Sequence, residues 1–135
     1  GGARGNPGPA GVGAVITDES GKILKEISEF LGVQTNNWAE YQAVILGLQQ
    51  LKKIFGKEKL KTVSVEVRSD SELVVKQLNR EYRVKDKDLA QLFVHVWNLT
   101  LGFSKFTVRH VRREQNKEAD KLVNEAIDRG IRAGR

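Results

Sequence analysis

The chain predicts a mixed α/β domain in which an antiparallel hairpin feeds a sheet whose later strands are joined by helical crossovers. Three observations carry this. Two alternating apolar stretches flank the turn residues Asp18-Glu19-Ser20-Gly21. Four later stretches repeat their apolar residues at helical spacing, and two short alternating runs, Thr62–Arg68 and Phe106–Val111, are interleaved with them. The 135 residues, 39% hydrophobic and 30% charged, suit one core and therefore a single domain over residues 1–135.

Taken in order, Gly1–Pro9 (GGARGNPGP) is a loop, because its glycines and prolines do not suit the interior of an element. Ala10–Glu19 and Lys22–Leu31 form the hairpin. Ala39, Ala43, Val44, Leu48, Leu51, Ile54 and Phe55 then mark an amphipathic helix of about five turns. Val63, Val65 and Val67 share one face of a strand that ends at Ser69-Asp70-Ser71, where a second helix begins with Leu73, Val74 and Leu78 inward. Asp86–Leu101 is a third helix, Phe106–Val111 the last strand and Asn116–Ile127 the last helix. The order is β-β-α-β-α-α-β-α, with parallel strands expected where helices intervene. Trp38 and Trp97 are assigned to packing, and Arg129, Arg132 and Arg135 to a frayed basic end.

Composition narrows the chemistry. Without cysteine there are no disulfides, thiolate metal sites or thiol nucleophiles, so any bound metal is a hard cation held by oxygen or by the two histidines. A net charge of +6 favours a polyanionic partner. No apolar run approaches the roughly 20 residues of a membrane span, and no signal-peptide pattern opens the chain, so a cytoplasmic location without membrane contact is expected.

Three acids stand near apolar stripes. Glu40 precedes Ala43 and Val44 by three and four positions and extends the inward face of the first long helix. Its structural alternative is a capping box with Asn37 as N-cap. Asp70 follows a strand directly, the position where ligands meet the carboxyl ends of strands, or else it is a plain N-cap. Asp120 lies a face-step from Val123 and Ile127, with a solvated helix aspartate as the alternative. Carboxylates converging on one spot repel one another unless cations fill the site, and two metal ions so held serve in-line phosphodiester displacement.

Four strings, GNPGPAG at Gly5–Gly11, TNNWAEYQAVILGL at Thr35–Leu48, SDSELVVKQL at Ser69–Leu78 and HVRREQNKEAD at His110–Asp120, together resemble the type 1 ribonuclease H family in content and order. The resemblance implies a ribonuclease H-like fold with a mixed five-stranded sheet flanked by helices. It also implies an endonuclease that cuts the RNA strand of RNA–DNA hybrids with two Mg2+ ions (Mn2+ as substitute), leaving 5′-phosphate and 3′-hydroxyl ends. Of the family's four metal ligands, the last three map onto Glu40, Asp70 and Asp120. The first maps six residues before Asn6, just ahead of Gly1, together with the family's central strand. The resemblance thus implies residues upstream of Gly1 in the natural protein, and a chain lacking them is expected to be inactive and unstable.

His110 stands ten residues before Asp120, the offset of the family's proton-shuttling histidine, and imidazole suits that work. It also fits the last strand, in which case Arg113 is the substitute that contacts the scissile phosphate. Asn6, Asn36 and Asn37 match residues that reach the hybrid's minor groove, and Thr35 matches a DNA-phosphate contact. Asn36 and Asn37 otherwise serve a turn and cap. Glu72 departs from the glutamine of some members, and the basic handle helix is absent, leaving Tyr82, Arg83 and Lys85 to track the DNA strand. A monomer is expected. Two alternatives stay open: an inactive hybrid-binding domain, or the nuclease domain of a larger polymerase. A purely structural domain leaves the acids without a role.

Overall fold

Asp18 closes the hairpin in the way its turn chemistry predicts. Its Oδ1 accepts from the Ser20 amide at 2.9 Å, the Ser20 hydroxyl at 2.6 Å and the Lys22 amide at 3.0 Å, and these hydrogen bonds hold the carboxyl below its ordinary range. The computed structural model describes residues 1–134 and places β1 at Gly2–Ala3, β2 at Gly8–Thr17 and β3 at Ile23–Gln34. The helix α1 (Asn36–Leu60), β4 (Ser64–Ser69), α2 (Glu72–Leu78), α3 (Lys87–Thr100) and β5 (Lys105–His110) follow. A single 3-10 turn over Arg113–Asn116 leads into α4 (Lys117–Ala133).

The mixed fold class holds: an antiparallel hairpin, a parallel strand pair and flanking helices. Its five strands are not hydrogen-bonded into one sheet. β1, β2 and β3 form one antiparallel sheet, while β4 and β5 pair in parallel from Ser64 opposite Lys105 to Ser69 opposite His110.

Residues alternate across β2, so its two faces meet different helices. A Cβ added at Gly13 would collide with the Ala119 carbonyl oxygen and come within 2.6 Å of the Val123 amide. Only glycine lets α4 approach that closely. Val123, Ala126 and Ile127 of α4 are buried there. On the other side α1, α2 and α3 enclose Tyr41, Ile45, Leu48, Val74, Leu89, Val96 and Leu99. Each buried aliphatic side chain of this group contributes about 1.5–3 kcal/mol. Burial also pushes the Tyr41 phenol up to about 12, so it stays a hydrogen-bond donor.

Several local expectations are corrected. Gly1–Pro9 is not all loop, since Gly2 and Ala3 pair with Gly11 and Ala10 and β2 begins at Gly8. Thr35, not Asn37, caps α1, its Oγ1 accepting from the Trp38 amide at 3.2 Å. Ser71, not Asp70, caps α2. The α1 stretch breaks at Gly56, whose φ of 76° no regular helix has. Trp38 packs against the core, but Trp97 is 52% exposed, lining an open groove with Leu78, Phe93 and Phe106. Arg129 and Arg132 belong to α4 rather than to a frayed end, and the Arg129 guanidinium donates to both the Ser28 carbonyl and its hydroxyl at 2.9 Å. Arg135 lies outside the described residues. No described helix is long and apolar enough to cross a membrane.

Candidate active site

Three elements end around one opening. Glu40 sits in the second turn of α1, Asp70 directly follows β4, and Asp120 lies in the first turn of α4. Because α1 is capped by Thr35 and packed by Tyr41 and Val44, Glu40 is turned toward the end of β4. Its Oε2 accepts from the Ser69 hydroxyl at 3.3 Å, and its Oε1 lies 3.0 Å from the Gly1 backbone nitrogen. The Ser69 hydroxyl in turn accepts from the Ser71 amide at 3.1 Å. Asp120 is held by the close seating of α4 on β2.

The three acids differ sharply in exposure. The Glu40 side chain is 13% exposed and that of Asp70 21%, whereas Asp120 is an exposed residue. The inward placement expected for Asp120 is therefore corrected: helical spacing put it near the apolar stripe, but while Ala119 beside it packs on Gly13 of β2, the Asp120 side chain is exposed and lines the opening. Burial pushes the Glu40 carboxyl up, the charge of Asp70 adds to this, and the Ser69 hydrogen bond opposes it.

Together they line an open cleft of about 570 Å³, with Asn36, Asn37 and Arg113 on the same walls. Arg113 Nε stands 4.0 Å from Asp70 Oδ2. His110 is the last residue of β5, and its Nε2 lies 3.3 Å from the Asp70 carbonyl oxygen. Tyr82 stands apart from the cleft, 46% exposed in the connection between α2 and α3, with the Lys76 ammonium 5.1 Å from its ring centre. Among the described residues no three His, Asp or Glu side chains approach closely enough to clasp one ion without rearrangement. The donor set nevertheless suits a hard divalent cation, since its carboxylates share one cavity and the charge of Asp70 already raises Glu40.

The amides on the rim are oriented by backbone. Asn36 Oδ1 accepts from the Ala3 amide at 2.7 Å, and Asn6 Oδ1 accepts from the Asn36 amide at 3.0 Å. Both side-chain oxygens are thereby engaged, and each Asn retains its Nδ2 donors. Sequence reasoning missed Arg4 and Asn124, which also line the cleft. Arg4 Nη1 pairs with Asp128 at 2.8 Å, and its Nη2 donates to Asn124 Oδ1 at 3.2 Å, fastening the β1–β2 connection to α4. The signal for Asn124 was its position one turn after Asp120; Arg4 carried none.

The fold and this acidic cleft define a ribonuclease H-like domain. The profile of the family described as Reverse transcriptase-like matches residues 1–126. Ribonuclease HI of Halobacterium salinarum is 41% identical over 128 residues, covering 95% of this chain and 61% of that protein. The Bifunctional protein Rv2228c of Mycobacterium tuberculosis is 40% identical over 129 residues, 95% of this chain and 34% of that protein. The chain thus spans only part of these relatives. The crystal structure of LC11-RNase H1 in complex with an RNA/DNA hybrid superposes with a TM-score of 0.91 at 47% identity, covering 96% of this chain and 94% of that one. The chain belongs to the type 1 ribonuclease H family.

Proposed function

We propose that this chain is one domain through which the full-length protein, as a single copy in the cytoplasm, hydrolyses the RNA strand of RNA–DNA hybrids, leaving 5′-phosphate and 3′-hydroxyl ends; the residues expected ahead of Gly1 supply the remaining metal ligand. The observation that carries the reading is the common cleft of Glu40, Asp70 and Asp120, walled by amides that present donors. These carboxylates would hold two divalent cations, Mg2+ or its substitute Mn2+. When bound, such ions stabilise charge on the phosphodiester and make water a better nucleophile.

The chain's own residues bind and orient the substrate. Donors at Asn6 and Asn36 suit the acceptors that every base pair shows in a minor groove, and the 2′-hydroxyl beside them, so contact depends on the RNA strand rather than on base sequence. Asn37 adds to that rim. Thr35 uses a lone pair for the cap and keeps its O–H to donate to a phosphate of the DNA strand. Tyr82 offers a stacking face farther along the duplex. Arg113, 85% exposed, contacts the scissile phosphate, and His110, whose ring lies against the Asp70 backbone, moves the proton of the leaving group.

One observation favours a second reading, a hybrid-binding domain without cleavage: the carboxylates do not form a closed three-ligand cluster among the described residues. The full-length protein with end-labelled hybrid, with and without Mg2+, separates the two. Metal-dependent cutting of the RNA strand alone is the expected result. Tight binding without cutting at any Mg2+ or Mn2+ concentration supports the second reading.

A further inference from the structure

Gln77 is a polar side chain in a place where an aliphatic one would pack. It is 5% exposed, between Val74 and Val75 of α2 and Tyr41 of α1, and Tyr41 is fully buried. The Tyr41 hydroxyl lies 2.7 Å from Gln77 Oε1, and Gln77 Nε2 lies 3.2 Å from the Arg83 carbonyl oxygen. The direction of this relay follows from its end. A backbone carbonyl can only accept, so the amide nitrogen faces Arg83, the amide oxygen faces Tyr41, and the phenol donates. Burying an amide and a phenol is costly unless both are satisfied, and among the described residues no buried side-chain polar atom lacks a partner.

The relay ends in the connection from Arg80 to Lys85. Its first half is anchored by backbone: the Glu81 and Tyr82 amides both donate to the Lys76 carbonyl, and Arg80 takes the left-handed φ of 61° that this return requires. Its second half has the half-buried Val84, and Gln77 is the only side chain among the described residues that hydrogen-bonds its backbone. Arg80, Tyr82, Arg83 and Lys85 all point outward from it. Tyr41 directly follows Glu40, and successive helix residues diverge by about 100°. One helix therefore presents a carboxylate to the cleft and, through its next residue, grips the basic connection.

We infer that the buried Tyr41–Gln77 pair is a positioning device that ties the Arg80–Lys85 connection to the helix carrying Glu40, and so sets affinity for the hybrid rather than the rate of the chemical step. This rests on the hybrid-hydrolysis reading above. Neither residue touches substrate; each acts through the Arg83 carbonyl. Loss of the relay lets the three cationic side chains and Tyr82 wander relative to the cleft, which weakens their joint hold on the DNA strand.

The test compares Tyr41→Phe with the double variant Tyr41→Phe/Gln77→Leu. The single change strands the Gln77 oxygen in a dry site, so that the amide turns to find a new donor and gives up the Arg83 carbonyl. The double change removes both polar partners, which restores stability but leaves the connection untethered. In both variants KM for the hybrid is expected to rise about 3- to 10-fold, the range one lost hydrogen bond spans, with kcat unchanged and the salt dependence of KM shallower. Amides of residues 83–85 should exchange faster in both, while Tm recovers in the double variant. A double variant whose KM returns with its Tm, or a fall in kcat at unchanged KM, overturns the inference. Hydrogen exchange keeps the two readings apart: faster exchange in a protein that cuts no hybrid upholds the tether and sinks the hydrolysis.

Discussion

The antiparallel and parallel halves of the molecule contribute to the cleft in different ways. In the first, β2 is pressed between α1 and α4, so close that Gly13 leaves no room for a methyl group. In the second, β4 and β5 keep one face open, where Glu66, Arg68 and Arg109 form exposed ion pairs with Glu66 shared. Such exposed pairs add little stability. The packed half holds Glu40 and Asp120 by helix placement and carries the amides. The open half delivers Asp70 and His110 from adjacent strand ends. Precision in the first comes from close packing, in the second from strand register.

The largest expected effect tests the open half. Asp70→Asn should lower hybrid cleavage by more than about 100-fold, beyond the loss typical for a residue that merely supports a metal ligand, with an unchanged circular dichroism spectrum. In the wild-type protein millimolar Mg2+ should raise Tm, and the substitution should remove that rise. Unchanged turnover would take Asp70 out of the metal site. The packed half breaks differently: Gly13→Val should cost about 1–3 kcal/mol or more of stability in urea unfolding, by lifting α4 and Asp120 off β2. A neutral result would mean that α4 is seated less tightly than the geometry requires.

A smaller effect sharpens the role of the rim. Asn36→Asp keeps the oxygen that accepts from Ala3 but replaces the donor with an acceptor, so KM for the hybrid should rise about 10-fold with little change in Tm. The smallest effect concerns Glu40. Burial raises its folded-state pKa above the ordinary 4.5, so the folded protein holds that proton more tightly than the unfolded one. The associated stability is complete below pH 4.5 and is lost as pH rises through the raised value. Glu40→Gln should therefore unfold at a higher urea concentration than wild type at neutral pH, and at the same concentration in acid. Equal stabilities at every pH would show that Glu40 is not strained by its burial.

Much of the molecule was legible from local chemistry. Asp18 and Ser20 specified the hairpin turn, periodicity marked all four helices, and the four strings around Asn6, Glu40, Asp70 and Asp120 pointed to the family. The misreadings have local causes. Gly1–Pro9 looked like loop because the pairing of Gly2 and Ala3 is made with Gly11 and Ala10, beyond any local window. Caps at Thr35 and Ser71 were displaced by one or two positions because several adjacent residues can all cap and only backbone direction chooses among them.

Residue order by itself determined the elements, the charge, the absence of thiol chemistry and the acids available to a cation, because these depend on neighbours along the chain. Only the tertiary structure decided that Glu40 is nearly dry and Asp120 wet, that the strands divide three and two, and that Arg4 and Asn124 share the cleft. Exposure and hydrogen-bond partnership between residues more than a hundred positions apart are properties of packing, and no spacing in the sequence encodes them.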